Sequence, residues 1–310
     1  MLVDRGVGRR RFLQWLAWLA AAGVVKPARS VMSGRAILHT IPSSGEKLPV
    51  IGLGTWLTFD VGTEWWQREP VCKVLQAFFE RGGALVDSSP MYGRSEEVLG
   101  ACLPSIKQRQ RLFSATKVWI YGKRLGIDQM EYSRRLWGVE RFDLMQIHNM
   151  LDWRTHLATL REMKAHGDIR YIGITTSHGR RHVELERVMA QEDDFDFVQF
   201  TYNLADREAE RRLLPLAAER GLAVIVNRPF QGGALFARVR GKPLPAWSAD
   251  FDCYNWAQFM LKFIVSHPAV TCAIPATSKL PHLQENMGAA FGRLPDEPTR
   301  QRMARLFAEL

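Results

Sequence analysis

The fold of this 310-residue chain is constrained most by a regular series of short apolar segments that have the character of β-strands. Successive segments begin mostly 26 to 33 residues apart, although the last interval is 47 residues. Such an interval holds one strand, one helix and two connecting loops. The eight segments begin near Ile51, Ala84, Leu112, Phe142, Arg170, Phe195, Leu222 and Ala269.

The stretches between these strands have helical periodicity. Residues 71–79 repeat apolar side chains at the i, i+3, i+4, i+7 and i+8 spacing of an amphipathic helix. A helix that follows each strand returns the chain to the same end of the sheet, so the strands must pair in parallel. Because eight such units can close, we predict an α/β fold, a (β/α)8 TIM barrel, over residues 35–310.

Two further elements flank the predicted barrel. We expect an N-terminal β-hairpin over residues 36–41 and 47–50, and an extra C-terminal helix over residues 298–310 that packs outside the barrel. The competing fold is an open doubly wound sheet. It is disfavoured because no Gly-x-Gly-x-x-Gly motif follows the first strand.

The first 30 residues differ in character from the rest. Arginines at positions 9–11 precede an uncharged, mostly apolar run over residues 12–25. This run is short for a bilayer span of about 20 residues but suits the apolar region of a signal peptide. Residues 1–30 resemble a twin-arginine export signal. That resemblance implies recognition by the twin-arginine export machinery, a periplasmic or otherwise exported protein, and no membrane span after signal removal. An uncleaved membrane anchor is the alternative.

The charge and the cysteines exclude several classes of protein. The formal net charge is +10, and about half of it lies in residues 1–29. Elsewhere basic and acidic residues alternate without a nucleic-acid-binding motif, so we expect no nucleic-acid partner and favour a small anionic ligand. The cysteines form no Cys-x-x-Cys pair or Cys/His cluster, so we expect no metal site and four buried free thiols. They are Cys72, Cys102, Cys253 and Cys272.

Titratable side chains stand where three consecutive strands of the barrel are expected to end. The second segment ends at Asp87 with Tyr92 five residues on, the third ends at Lys117, and the fourth ends at His148. All strands of such a barrel end at one rim, where the βα loops build the active site. Each residue alone has an ordinary structural explanation, but together we expect them to meet at one mouth.

These four residue types suit the reduction of a carbonyl. A phenol with a pKa of about 10 is a weak acid near neutrality, and a neighbouring ammonium lowers that pKa. Lys117 would supply the ammonium and Asp87 would orient it by hydrogen bonding. His148 would direct a ring N–H at a substrate oxygen beside the Tyr92 hydroxyl. We therefore expect a site that polarises and protonates a carbonyl.

At these positions the chain resembles the aldo-keto reductase family, over about residues 36–292. The strongest match is residues 87–100, which read Asp-Ser-Ser-Pro-Met-Tyr-Gly-Arg-Ser-Glu-Glu-Val-Leu-Gly. Residues 115–118 (Ala-Thr-Lys-Val) and 146–149 (Gln-Ile-His-Asn) follow in the expected order. The resemblance implies that Asp87, Tyr92, Lys117 and His148 form a catalytic tetrad in which Tyr92 is the general acid. It also implies a nicotinamide dinucleotide as the hydride donor.

The same resemblance implies several cofactor contacts. Gln199 corresponds to the glutamine that contacts the carboxamide, and Thr175 keeps a hydroxyl where the family has a Ser-Asn pair, whereas Thr176 loses the amide. Residues 274–286 resemble the family's adenosine-phosphate site, and backbone N–H groups at a helix start attract phosphate. This segment is expected to contribute Thr277, Ser278, Lys279, Glu285 and Asn286.

The cofactor preference is inferred from the same segment. Ala276 and His282 stand where many NADPH-specific members have Lys and Arg, but Lys279 can compensate. We therefore favour NADP(H) over NAD(H). A clearer departure is Asn227, which replaces a tyrosine that stacks on the nicotinamide in many members. Its neighbour Arg228 is expected to stack, to contact the pyrophosphate, or to form a salt bridge at the rim.

Two features have alternative interpretations. Residues 230–252 form a long connection that we interpret as a flap over the cofactor, the alternative being a surface excursion. Trp56 and Trp119 follow strand ends, where each either walls an apolar substrate pocket or packs in the fold.

These observations predict an exported NAD(P)(H)-dependent enzyme that transfers hydride between the nicotinamide and a small carbonyl or alcohol substrate. A second hypothesis is a cofactor-binding sensor or a partner-binding subunit with little turnover. A third is a metal-dependent barrel hydrolase that uses Asp87, His148 and His178.

Overall fold

The structure is a computed structural model that describes residues 34–62 and 64–310. The export signal predicted for residues 1–30 therefore lies outside the described residues. Eight parallel strands pair in the order of the sequence, and bridges from Ile51 to Ala273 and from Gly54 to Ala276 join the two ends of the sheet. These bridges close the sheet, so the predicted (β/α)8 barrel is confirmed.

The described strands begin within three residues of the predicted starts. An antiparallel hairpin of β1 (Leu38–Thr40) and β2 (Lys47–Pro49) precedes the barrel, as predicted. The barrel strands are β3 (Leu53–Gly54), β4 (Leu85–Asp87), β5 (Phe113–Val118), β6 (Phe142–Ile147), β7 (Ile169–Thr175), β8 (Phe197–Thr201), β9 (Ala223–Asn227) and β10 (Cys272–Ala273).

Helices follow the barrel strands and cover the outside of the sheet. The last of them confirms the predicted C-terminal helix. The described helices are α1 (Trp65–Glu80), α2 (Ser95–Cys102), α3 (Lys123–Trp137), α4 (Trp153–His166), α5 (His182–Gln191), α6 (Leu213–Glu219), α7 (Ala234–Arg238), α8 (Trp256–Val265), α9 (Leu280–Gly288) and α10 (Glu297–Glu309).

Local sequence explains which face of α1 is buried and where two other helices end. The apolar stripe predicted for residues 71–79 is buried on α1, which confirms it as the face that packs on the barrel. Helices α3 and α4 end at Gly138 and Gly167, whose φ angles of 61° and 86° lie in the left-handed region that glycine adopts without steric cost. The chain can therefore turn sharply into the next strand.

The hairpin closes the end of the barrel opposite the strand C-termini. Ile41 and Leu48 belong to the same buried cluster as the inward-facing side chains near the strand starts, among them Phe113 and Phe197. The Tyr171 hydroxyl, also in this cluster, donates to the Ser44 hydroxyl at 2.7 Å. With this end plugged, the strand C-termini form the open mouth.

The prediction of four free thiols is wrong for two of them. Cys72 on α1 and Cys102 at the end of α2 form a disulfide, with Cα atoms 5.2 Å apart, whereas Cys253 and Cys272 are free and buried. The two bonded cysteines are 30 residues apart in sequence, and only the packing of adjacent helices brings them together. None of the described helices is long and apolar enough to cross a membrane.

Candidate active site

A cavity of about 640 Å³ opens at the C-terminal ends of the strands. Its size lies within the range of small-molecule and cofactor sites. Several barrel strands contribute to its lining at or just after their last residue, and the following loops complete it. The strand-end residues are Gly54, Asp87, His148, Thr175, Asn227 and Ile274, and Gln199 lines the cavity from the middle of β8.

Lys117 and Asp87 form a buried ion pair at the base of this cavity. The Lys117 ammonium donates to Asp87 Oδ2 at 2.5 Å and to the backbone oxygen of Ser88 at 2.8 Å, and its side chain is inaccessible to solvent. The other carboxylate oxygen, Asp87 Oδ1, accepts from Gln146 Nε2 at 2.8 Å and from Gln199 Nε2 at 3.0 Å. The carboxylate is therefore saturated with donors, as a buried charge requires.

Tyr92 lies beside this pair. The Lys117 ammonium is 5.0 Å from the centroid of the Tyr92 ring. Burial opposes the charge on Lys117, but the Asp87 carboxylate and the Tyr92 hydroxyl outweigh burial and raise the pKa of Lys117. The lysine thus stays an ammonium, as the sequence predicted.

The expected lowering of the Tyr92 pKa is wrong as a net effect. Burial raises the pKa of Tyr92 above its ordinary value of 10.0, and the Asp87 carboxylate raises it further. Lys117 acts in the expected direction without outweighing them. The sequence shows that a cation is near but not how deeply the phenol is buried, so Tyr92 holds its proton at neutral pH.

His148 is the fourth member of a cluster that consists of Asp87, Tyr92, Lys117 and His148, which we call the proton-donor cluster after the role that the sequence predicts for it. Its ring meets the Tyr92 ring edge to face, with centroids 5.7 Å apart. Burial, and then the charge of Lys117, lower the pKa of His148 from 6.5 to about 2, so the imidazole is neutral. The structure therefore brings all four predicted residues together.

The residues predicted to bind a cofactor divide into two groups. Thr175, Gln199 and Arg228 line the cavity, as do three residues of the phosphate segment, residues 277–286. The three are Thr277, Glu285 and Asn286. Ser278 and Lys279 lie outside the cavity lining, exposed at the start of α9.

Asn227 is hydrogen-bonded into the cavity wall. Its Nδ2 donates to the backbone oxygen of Thr176 at 2.8 Å and to Gln199 Oε1 at 3.3 Å, and its Oδ1 accepts from the Thr201 hydroxyl at 2.7 Å. The side chain that replaces the family's stacking tyrosine thus positions Gln199. Gln146 also takes part in this network. It lies two residues before His148, and because alternate residues of a strand point to the same side of the sheet, this spacing could have identified it as a site residue.

Two polar groups at the mouth lack partners within the described residues. The Thr176 hydroxyl is buried without a hydrogen bond, although Thr176 lines the cavity. Arg228 forms no ion pair there, and its guanidinium carbon lies 5.7 Å from the centroid of the Trp56 ring. Of the alternatives for Arg228, the rim salt bridge is thus not seen. A buried donor without a partner is costly, and because Thr176 also lines the cavity it is a candidate ligand contact.

Comparison with known proteins identifies the family. The sequence model of the aldo/keto reductase family matches residues 50–302. The chain belongs to this family. An aldo/keto reductase is an oxidoreductase, so the proton-donor cluster lies in the barrel of an oxidoreductase family.

Individual relatives of this aldo/keto reductase are distant. An uncharacterized oxidoreductase of Schizosaccharomyces pombe is 31% identical over 170 residues, which cover 53% of this chain and 52% of that protein. The chain thus spans about half the length of that relative. The NADH-specific methylglyoxal reductase of Escherichia coli is 25% identical over 252 residues, covering 69% of this chain and 73% of that protein.

The barrel also matches a crystal structure. An aldo/keto reductase from Klebsiella pneumoniae, in complex with NADP and acetate, superposes with a TM-score of 0.72. The match is 24% identical and covers 86% of this chain and 94% of that one. This likeness establishes a shared fold.

The long connection of this aldo/keto reductase, residues 230–252, borders the cavity in its first part and contacts the C-terminal residues in its later part. Phe230 and Phe236 line the cavity. Further on, Arg238 donates to the backbone oxygen of Phe307 on α10, and Lys242 donates to that of Leu310, each at 2.8 Å. The first part therefore borders the site, and the rest is fastened to the C-terminus.

The two tryptophans differ in position. Trp56 lines the cavity, whereas Trp119 lies just outside the lining with its ring centroid 6.3 Å from that of His148. Within the described residues no group of three or more His, Cys, Asp and Glu side chains could hold a metal ion. Asp87 is paired with Lys117, and His178 hydrogen-bonds Ser177, so these residues form no such group with His148.

Proposed function

We propose that this protein is an exported nicotinamide-dependent reductase that interconverts small carbonyl compounds and alcohols. The observation that carries the proposal is the buried Lys117–Asp87 ion pair beside a protonated Tyr92 and a neutral His148. Burying two charges costs several kcal/mol per ion in desolvation. This ion pair is nevertheless buried, and it lies at the base of an open cavity. Such groups are characteristic of functional sites.

The residues at the mouth fit a nicotinamide dinucleotide. The unpaired buried hydroxyl of Thr176 can bond to a polar group such as the carboxamide, next to Thr175 and Gln199. Arg228 forms no ion pair within the described residues, since the Asp206 carboxylate acts on it only at longer range, and it would pair with the pyrophosphate. When bound, the cofactor supplies the hydride.

Each member of the proton-donor cluster has one task in this proposal. The Tyr92 hydroxyl donates a proton to the oxygen of the carbonyl substrate, and the Lys117 ammonium stabilises the phenolate that remains. Asp87 keeps Lys117 charged and oriented. His148, being neutral, donates a ring N–H to the same substrate oxygen.

The phosphate segment supports NADP(H) over NAD(H) as the cofactor. Lys279 is exposed at the start of α9, without an ion pair among the described residues, and is free to meet a 2′-phosphate. The Klebsiella pneumoniae protein binds NADP, whereas the Escherichia coli relative is NADH-specific. We propose NADP(H) on the strength of Lys279.

The disulfide between Cys72 and Cys102 supports the export proposal independently of residues 1–30. Disulfides persist in oxidising compartments and are rare in the cytosol. Changing Arg9 and Arg10 to Lys should trap the protein in the cytoplasm with reduced thiols, as measured by fractionation and thiol alkylation. Unchanged export of the variant would contradict the twin-arginine signal.

One experiment tests the enzyme against the sensor hypothesis. Fluorescence titration with NADPH and NADH measures cofactor binding, and a stopped-flow single turnover with excess aldehyde measures chemistry. We expect oxidation of bound NADPH within seconds. Tight binding of NADPH with no oxidation of it by aldehydes, ketones or sugars would support a sensor or partner-binding subunit. The observation that favours this second hypothesis is Asn227, which replaces the stacking tyrosine.

A further inference from the structure

Ser89 contacts the imidazole of His148 and is not among the residues predicted from the sequence. Its hydroxyl oxygen lies 2.8 Å from His148 Nδ1, and Ser89 is inaccessible to solvent. The contact joins the loop after β4 to the short turn after β6, so it links two separate parts of the proton-donor cluster.

The direction of this hydrogen bond follows from the donors and acceptors that surround the Ser89 hydroxyl. The backbone N–H of Met91 donates to the Ser89 oxygen at 3.2 Å, so that oxygen already acts as an acceptor. That oxygen could accept a second time, but His148 Nδ1 is the only acceptor that the described residues offer to the Ser89 hydroxyl proton. Since a buried hydroxyl proton without an acceptor is costly, Nδ1 accepts it. A neutral imidazole carries one proton, and with Nδ1 as acceptor that proton is on Nε2.

Nε2 is the ring nitrogen that a substrate would meet. Within the described residues it has no hydrogen-bond partner, while His148 lines the cavity. The opposite tautomer would leave Nε2 as an acceptor facing the substrate oxygen, which is also an acceptor. The identity of the tautomer therefore decides whether His148 assists the reaction.

We infer that Ser89 is a positioning residue that holds His148 in the Nε2–H tautomer, so that the imidazole donates to the substrate oxygen. This inference rests on the proposed carbonyl reduction for its consequence, but the tautomer itself can be measured without turnover. In this role Ser89 differs from the proton-donor cluster, because its hydroxyl acts only through His148.

The tautomer is measured from long-range ¹H–¹⁵N correlation spectra of the cofactor-free protein labelled at histidine. The chain has eight histidines, and His148→Asn identifies the signals of His148. We expect the wild type to carry its proton on Nε2. Ser89→Ala should give a mixture of tautomers, whereas Ser89→Thr, which keeps a hydroxyl, should restore the wild-type pattern.

Activity provides the second readout. Ser89→Ala should lower kcat for carbonyl reduction by about five- to tenfold, the effect of one neutral hydrogen bond, with an unchanged Kd for NADPH. Ser95→Ala is the matched control, because Ser95 is equally buried but its hydroxyl donates to the backbone oxygen of Thr55. We expect neither the His148 tautomer nor kcat to change in that variant.

The outcomes separate the inference from the proposed function. A wild-type imidazole protonated on Nδ1, or one whose tautomer is unchanged in Ser89→Ala, would overturn the role of Ser89 even if the protein reduces carbonyls. An Nε2 proton that depends on Ser89, in a protein without reductase activity, would support the inference and refute the proposed function. If Ser89→Ala does not fold, Ser89→Thr and the wild-type spectrum still decide.

Discussion

The proton-donor cluster and the phosphate segment face the same cavity but differ in how completely they are formed without a ligand. In the cluster Lys117 is inaccessible to solvent, and both Asp87 oxygens have donors. In the phosphate segment Ser278, Lys279 and Glu285 are exposed. The proton-donor cluster is therefore preorganised by the fold, whereas these three exposed side chains of the phosphate segment would gain partners from a ligand.

This difference follows from the cost of burying charge. A buried ammonium must have its carboxylate within the folded chain, since water cannot replace it. An exposed lysine is solvated both with and without a bound anion, so its ion pair with that anion changes the free energy little. Substitutions in the cluster should therefore affect both chemistry and stability, whereas those in the phosphate segment should affect binding alone.

The largest effect should come from Tyr92→Phe. Removing the phenol oxygen removes the proton donor, so carbonyl reduction should fall by about 100- to 10,000-fold, the range for a general acid. The Kd for NADPH, measured by fluorescence titration, should be nearly unchanged. Retained reduction would refute Tyr92 as the acid, and a large loss of NADPH affinity would mean that the two regions are not separable.

Lys117→Met should have the next largest effect, and it should appear in stability. The substitution leaves the buried Asp87 carboxylate unpaired, so the free energy of unfolding should fall by about 3–5 kcal/mol. The matched control is Lys123→Met, which breaks the exposed ion pair between Lys123 and Glu162 at 2.8 Å and should cost about 0–1 kcal/mol. Urea denaturation measures both. Equal losses would contradict the distinction between buried and exposed charge.

The sequence predicts the barrel well because the fold depends on a pattern that repeats. Apolar segments at regular intervals allow few other arrangements, and polar residues such as His148 at segment ends must then share one rim. Side-chain partners across the barrel carry no such pattern. The disulfide of Cys72 with Cys102, and the contact of Ser89 with His148, depend on how neighbouring units pack.

The pKa of Tyr92 shows a different limit of prediction from sequence. Residue types identify the nearby ammonium of Lys117, and hence the sign of one contribution. The opposing contribution from burial depends on depth, which only the folded structure reveals. Charge partners were thus predictable, whereas the balance between charge and desolvation was not.

Lys279→Ala should have a smaller effect, confined to the cofactor. If the ammonium meets the 2′-phosphate, its loss should weaken NADPH binding by about fivefold, because an exposed charge contributes about 1 kcal/mol, while NADH binding is little affected. Thermal stability should not change, since Lys279 is exposed. Equal weakening of both cofactors in the titration would argue against the 2′-phosphate contact and leave NADP(H) without its main support.

The smallest effect should be that of pH on the cluster itself. The pKa of His148 is lowered to about 2 and that of Tyr92 is raised, so neither group titrates near neutrality. In reduction Tyr92 must be protonated, so activity should fall only as pH rises toward its raised pKa. We expect kcat/KM to change by less than about twofold between about pH 6 and 8, measured at constant ionic strength.

An inflection near the ordinary histidine pKa of about 6.5 would mean that His148 titrates freely, and a fall between about pH 7 and 8 would mean that Lys117 outweighs burial at the phenol. Either result would show that the cluster is less enclosed than its hydrogen bonds indicate, and would bring it closer in character to the phosphate segment.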